Sequence, residues 1–436
     1  MRNSLFALDL PAIDEVMPSV RPATIQDTVS GYHRSVPKVQ EPHQFAEVHL
    51  TVVPFVGDTP LLLEWQVPFN HIPGTFLLQI LKGIQQAAHQ GYAEYGPMLH
   101  LKVTITHGRY QMLDTGPHVL QHVAAQAFQN AMREANLVPL DPISLPYVPR
   151  PTPVTRLLEF SDHSGLPFAY IPPGTYPVGA PHDLQQSVLN RTYSNPKVFW
   201  MPPGHVELPG FFIATQLLRQ HHLAALRHTQ WGMALNIGKY TSTVMGQRAR
   251  KRSANADDIL SVRFREGLYI AQALGMTLPT WDQWEVATRG PQGYLYPWGN
   301  VFGAHSGNDI SILAHDASYW WEDPVSDMGS RDREYIVKIY TYFESFGTYT
   351  HATSPFGLID LARQGHEWNT SGEPSEHGEY PVSSRLLRSL CNLEVSPYGC
   401  VGTNLAMMLP SGMGDDEAAI RLVYQEHAGT SPDVAA

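Results

Sequence analysis

Hydrophobic and polar positions alternate clearly from Ala46 onward. Val48, Leu50 and Val52 interleave with Glu47, His49 and Thr51, the period of a strand with one face buried. Beyond a turn at Gly57–Pro60, the run LLLEWQV reads as the hairpin partner of that strand. Pro73 and Gly74 then open a helix with Phe76, Leu77, Ile80, Leu81, Ile84 and Ala88 on one stripe, closed by Gly91. Leu99, Leu101, Val103 and Ile105 alternate as a third strand. A second helix follows, capped by Asp114 or Thr115, with Pro117 in its first turn. Its inward face is expected to be Leu120, Val123, Ala124, Ala127, Phe128, Ala131 and Met132. Two amphipathic helices on a mixed sheet make a two-layer α/β unit.

The flanks of this unit read differently. Residues 1–40 carry Pro11, Pro18, Pro22 and Pro37 with little periodicity, and are expected to form an extended arm or a strand docked elsewhere. The run LPYVPRPTPVTR at 145–156 holds four prolines, so an extended, semi-rigid spacer is expected there. The divisions are an arm at 1–40, the α/β unit at 41–147, a linker at 148–156, a second domain at 157–426 and a disordered tail at 427–436. The second domain shows dense turn residues and one clear helix near Ile259–Leu274.

Bulk composition narrows the class. The chain has 436 residues, 43% hydrophobic and 16% charged, with a net charge of −11. That is globular and acidic, without the basic face a nucleic-acid footprint needs, and DNA is not expected as a partner. No apolar run approaches the roughly 20 residues of a membrane span. The first twenty residues make a poor signal peptide. With only Cys391 and Cys400 there is no disulfide framework, and the expected location is cytoplasmic. His71, His89, His100 and His107 read as scattered, exposed histidines rather than as metal ligands.

Three segments carry a first resemblance: FNHIPGTFLLQILKGIQQAAHQG, LHLKVTITHGRYQMLD and HVLQHVAAQAFQNAMREANLVPLDPI. Their order resembles domain IV of elongation factor G and its ribosomal-protection relatives over about 44–145, with Ile72–Pro73, Lys82–Gln85, Gly108, Tyr110 and Asp114 in the family positions. The resemblance implies a module whose polar tip, here His107, Arg109 and Gln111, meets a partner. Gln111 stands where the family has a histidine. No GxxxxGK[ST] loop accompanies the module. Its role is either ribosome-directed binding or a reused scaffold for assembly.

A second set of segments is FAYIPPGTYPVGA (168–180, read as a hairpin), LPGFFIATQ, LGMTLPTWDQWEVATRG, YPWGN, SPFGLIDL, GHEW and AIRLV (419–423). In this order they resemble the formylglycine-generating-enzyme, or sulfatase-modifying-factor, family, whose fold is C-type-lectin-like. The resulting fold class is α+β: an α/β sandwich followed by an irregular lectin-like domain. Thr280 is expected to cap a helix with Trp284 and Ala287 facing inward and Arg289–Gly290 at its end. Pro297, Trp298, Phe356 and Trp368 are expected in the core, and Glu285 to pair with Arg289 one turn away. The resemblance also implies structural calcium near GHEW, with Glu367 as its side-chain ligand, or else Glu367 acting only through hydrogen bonds.

Oxidising members of that family use two cysteines five residues apart that bind copper(I), a soft-ligand preference. Here Cys391 and Cys400 are nine apart and the preceding RLLRSLC lacks the family glycines. A binding branch of the family, which includes variable proteins of diversity-generating retroelements, presents a ligand surface just before its last strand. The corresponding window is 387–417, and its candidates are Asn392, Glu394, Tyr398, Asn404, Met407, Met408 and Met413, suited to adaptable recognition of a protein or small molecule. The leading expectation is a non-catalytic binding protein, compatible with an oligomer and needing no cofactor beyond that calcium. The alternatives are a copper-dependent oxidoreductase using Cys391 and Cys400, and a ribosome-associated factor. GQRARKR at 246–252 reads as a solvated loop, and 301–353, with Tyr319-Trp320-Trp321, as a candidate interface.

Overall fold

The computed structural model describes residues 4–10, 21–36, 44–57, 59–68, 70–111, 115–140, 153–179, 199–200, 203–236, 259–262, 264–294, 353–359, 366–370, 380–384, 405–409 and 418–425. The chain is α+β and divides into two compact units, 1–162 with 426–436, and 163–425.

The first unit is built on strands β1 (Ser4–Leu8), β2 (Ala23–Ile25), β3 (Val29–Ser35), β4 (Ala46–Pro54), β5 (Leu61–Trp65), β6 (Leu101–Arg109) and β7 (Leu137–Pro139). Five form one sheet in the order β1-β5-β6-β4-β3, and β2 pairs with β7 apart from them. The expected β4–β5 hairpin does not form. β6 lies between them, antiparallel to β4 and parallel to β5. The connection from β5 to β6 runs through helix α1 (Leu77–Gln90), since parallel neighbours need a crossover rather than a tight turn. Residues expected as an arm supply both outer strands: β1 pairs with β5, and β3 with β4.

One face of the sheet is apolar, with Phe6, Leu8, Leu61, Leu63, Val103, Ile105, Val48, Leu50 and Val52 all buried. α1 and helix α2 (Pro117–Arg133) are amphipathic, and α2 buries the seven residues its periodicity indicated. The two helices touch backbone to backbone at Gly83, where an added Cβ would lie 2.1 Å from the Gln121 carbonyl oxygen. The α2 cap is Gly116, without a side-chain hydrogen bond. Thr115 does not cap because its hydroxyl donates to the Phe45 carbonyl and accepts from the Gln111 amide. Asp114, the other candidate cap, lies outside the described residues. Phe76 is only half-buried and rests against Tyr110, ring centres 5.9 Å apart.

The proline run also differs from expectation at its end. Pro153 begins helix α3 (Pro153–Ser164), so residues 153–156 are helical rather than extended. A proline in a first turn forfeits no helical hydrogen bond. α3 buries Val154, Leu157, Leu158 and Phe160. Thr155 Oγ1 accepts from the Asp9 amide at 3.1 Å, and Asp162 meets Lys82 within 2.7 Å.

The second unit contains β8 (Phe168–Ile171), β9 (Gly174–Val178), β10 (Phe199–Trp200), β11 (Gly204–Leu208) and β12 (Phe211–Ala214), then helices α4 (Gln220–Ala225) and α5 (Gln230–Ala234). β13 (Ser261–Val262), helices α6 (Phe264–Ala273) and α7 (Trp281–Arg289), β14 (His366–Trp368), β15 (Tyr380–Ser384), β16 (Leu405–Leu409), β17 (Ala418–Ala419) and β18 (Val423–Tyr424) follow. The sheets are β18-β12-β8, β11-β9 and β10-β16-β15-β14-β17-β13. β8 and β9, expected as a hairpin, go to different sheets. All four residues of β8 are buried, so it takes a central-type partner in β12, while half-exposed β9 pairs with β11. The helix expected from Ile259 begins at Phe264, because Ser261–Val262 pair with β17 as a strand.

α7 forms as its sequence indicates. Thr280 Oγ1 accepts from the Gln283 amide at 3.2 Å while Gln283 Oε1 accepts from the Thr280 amide at 2.9 Å, a reciprocal cap. Gly290, at φ 73°, ends the helix. Phe356 and Trp368 are buried as expected; Pro297 and Trp298 lie outside the described residues, as do 246–252, Tyr319-Trp320-Trp321 and the tail.

Candidate functional site

Two places concentrate chemistry-bearing side chains, one in each unit. In the first unit the motif residues account for one another physically. Ile72 is fully buried and lies over Gly108, where a Cβ would approach its Cδ1 to 2.3 Å. Lys82 pairs with Asp162, Gly83 admits α2, Ile84 is buried, and Gln85 donates to the Asp9 carbonyl.

On the sheet face opposite the apolar one, four rings form a row. Tyr32 on β3 sits directly across from His49 on β4, which sits across from His107 on β6. Ring centres are 4.4 Å apart for Tyr32–His49 and 5.3 Å for both His49–His107 and His107–His71. His71 comes from the segment between β5 and α1. The expectation of scattered, exposed histidines therefore fails: all four are half-buried, and ring contact brings His71 and His107 together. A register shift between His49 and Leu50 sets which residues face each other.

Charged groups border the row. Glu47 Oε1 meets His49 Nε2 at 2.9 Å, Arg34 approaches Glu47 at 3.9 Å, and Arg109 is the cross-strand neighbour of Glu47. Burial pushes the Glu47 carboxyl up, but the His49 hydrogen bond and the charges of Arg109, His49 and Arg34 outweigh it and hold its pKa below the usual value. The His107 pKa is lowered by burial and by its neighbours His49 and His71, with Glu47 opposing and Arg109 adding to the effect. Of the tip residues, His107 belongs to the row, Arg109 is exposed on the end of β6, and exposed Gln111 closes a loop on Thr115: its amide donates to the Thr115 hydroxyl and its carbonyl accepts from the Thr115 amide.

In the second unit three motif segments converge on Glu367. Its Oε2 accepts from Trp284 Nε1 at 2.9 Å and Arg421 Nε at 3.0 Å, and its Oε1 from Arg421 Nη2 at 3.3 Å. Arg421 also donates to the carbonyls of Ala214 and Ile359. Sequence reasoning did not single out Arg421; the signal was a charged residue inside the apolar run AIRLV, which demands a buried partner. A second node joins Glu285 and Arg289, as expected. Both also hold Gly179: its amide donates to Glu285 Oε1 at 2.6 Å and its carbonyl accepts from Arg289 at 2.8 Å. Arg289 further donates to the carbonyls of Gly293 and Tyr294.

Calcium needs carboxylate oxygens at 2.3–2.6 Å, but both oxygens here accept from a guanidinium whose charge opposes a cation. In this structure the Glu367 carboxylate acts through hydrogen bonds; Gln364 and Gly365 lie outside the described residues. Among the described residues no group of three or more His, Cys, Asp or Glu side chains is arranged to hold a metal, and no helix is long and apolar enough to cross a membrane. Cys391, Cys400, Asn392, Glu394, Tyr398, Asn404 and Met413 lie outside the described residues. Met407 and Met408 fall on β16, opposite Val382 and Pro381 of β15.

Comparison with known proteins agrees with this division. Residues 18–136 match elongation factor G, domain IV, which takes in β2 and β3 as well as the motif segments up to Asn136. A protein of Bacillus subtilis (strain 168), named "Uncharacterized protein YfmG", is 24% identical over 164 residues, 36% of this chain and 32% of that protein. The chain thus spans about a third of that relative's length. A solved structure, the crystal structure of ttk003000868 from Thermus thermophilus, aligns with 21% identity and a TM-score of 0.26, covering 44% of this chain and 26% of the other. Residues 162–393, more than half of the chain, match the sulfatase-modifying factor enzyme 1-like domain, with Glu285, Arg289, Trp284 and Glu367 inside the match, and the chain belongs to that family.

Proposed function

We propose that this chain is a non-catalytic binding protein, whose family domain presents a recognition surface from 387–417 and whose N-terminal module provides a second contact. The observation that supports this reading is the use made of the motif residues. Glu285, Arg289, Glu367 and Arg421 are each nearly or fully buried and spent on one another and on backbone carbonyls. Such residues maintain a scaffold and leave no charge facing a substrate. The cysteines that carry oxidative chemistry in related enzymes stand nine residues apart here instead of five. On this reading Asn392, Glu394, Tyr398, Asn404, Met407, Met408 and Met413 contact a protein or small-molecule ligand, in an arrangement like that of retroelement-diversified lectin-type proteins.

Copper(I) titration of the reduced full chain tests this, beside a Cys391→Ser/Cys400→Ser variant. Stoichiometric, competitor-resistant binding that disappears in the variant overturns the reading in favour of an oxidoreductase. Equal, weak binding by both proteins supports it.

A further inference from the structure

We infer that the Tyr32–His49–His107–His71 row is a proton-responsive clasp that holds the segment between β5 and α1 against the sheet at neutral pH and loosens it on acidification. Three features carry the inference: the three imidazoles belong to three separate chain segments, they lie in ring contact, and the groups around them are mostly cationic when charged.

Each neighbouring element contributes to these surroundings. β4 supplies Glu47 and His49, β6 supplies His107 and Arg109, β3 supplies Tyr32 and Arg34, and the β5–α1 segment supplies His71. One carboxylate, Glu47, stands among three imidazoles and two guanidiniums, and it already bonds His49 and approaches Arg34. One carboxylate can offset one added charge, whereas further protons on the row place like charges about 5 Å apart. Something must then move.

β4 and β6 cannot separate without breaking their ladder. His71 is different: its amide and that of Ile72 both donate to the Pro68 carbonyl in a local turn, at 2.9 Å and 3.2 Å. Ile72, seated on Gly108, is its anchor. Repulsion at His71 thus acts on the one segment joined to the row by side-chain packing rather than by sheet hydrogen bonds. Opening it would uncover the part of β6 that leads to Arg109 and Gln111, so the module tip changes with pH.

Hydrogen–deuterium exchange of the full chain at pH 7.5 and 5.0, corrected for intrinsic rates, tests this. Protection at His71 and Ile72 is expected to fall about tenfold or more at pH 5.0 while α2 stays protected. His107→Gln should abolish that fall, and His118→Gln, at an exposed α2 position, should leave it. Unchanged protection at pH 5.0, a fall that persists in His107→Gln, or loss shared equally by α2 would each overturn the inference. The α2 readout separates local release from unfolding of the unit.

Discussion

Trp284 and Arg421 share one acceptor: the indole N–H and the guanidinium Nε both donate to Glu367 Oε2, at 2.9 Å and 3.0 Å. The first comes from α7 and the second from the residue run leading into β18, so a single carboxylate joins the PTWDQW, GHEW and AIRLV segments. Arg421 has no exposed surface, and the Glu367 carboxylate helps to balance its charge.

Glu367→Gln should consequently be severe. It removes the negative charge while leaving a buried guanidinium, a change that costs about 3–5 kcal/mol. Thermal unfolding of the full chain should show the second unit melting first and well below its normal temperature. Unchanged melting would mean that Arg421 finds another acceptor. A double variant, Glu367→Leu with Arg421→Met, should recover part of the loss, since removing both charges avoids the unpaired one.

Gly108→Ala probes the seat of Ile72. The new methyl would meet Ile72 Cδ1 at 2.3 Å and the Glu47 carbonyl oxygen at 2.9 Å. The backbone contact cannot be relieved by a rotamer change, so a cost of about 1–3 kcal/mol is expected. Urea unfolding of the first unit reads it. A stability equal to the parent protein would show that β6 shifts freely there.

Asp9 gives the first unit a pH dependence of its own. Burial, with the charge of Glu159 adding and a hydrogen bond from the Leu10 amide opposing, raises its pKa from 3.8 to about 6. The folded protein then keeps a proton that the unfolded chain releases near pH 4. Its contribution is fully present below pH 3.8 and is lost as pH rises through about 6. Asp9→Asn should therefore raise the urea midpoint at pH 7.5, with the advantage shrinking at pH 5. A gain of the same size at both values would assign the effect to something other than ionisation.

What could be read from the sequence follows the range of the interactions. The α2 face was legible residue by residue because a 3.6-residue period over seventeen positions leaves one solution. The cap at Thr280 and the Glu285–Arg289 pair were legible because both are local. Strand partners were not. Alternation marks Val48 and Leu61 as inward-facing but says nothing about β6 coming between them. β8 and β9 looked like a hairpin because Pro173–Gly174 is good turn chemistry, yet their partners arrive from Phe211–Ala214 and Gly204–Leu208. The row of Tyr32, His49 and His107 is not legible for a related reason: alternation places His49 outward, but only the register of three strands, with the shift at His49, aligns the rings.

The positions of β1 and β3 bear on how the chain can be cut. Both borders of the five-stranded sheet come from the first thirty-six residues, so a fragment starting at residue 41 would keep the three middle strands and lose their flanks. β4 and β5 would then each present a bare row of amides and carbonyls to solvent, the arrangement that invites chains to stack edge to edge. An expression fragment of the first unit has to begin at or before Ser4 to keep all five strands, and one trimmed to the recognisable helices and strands would be expected to precipitate.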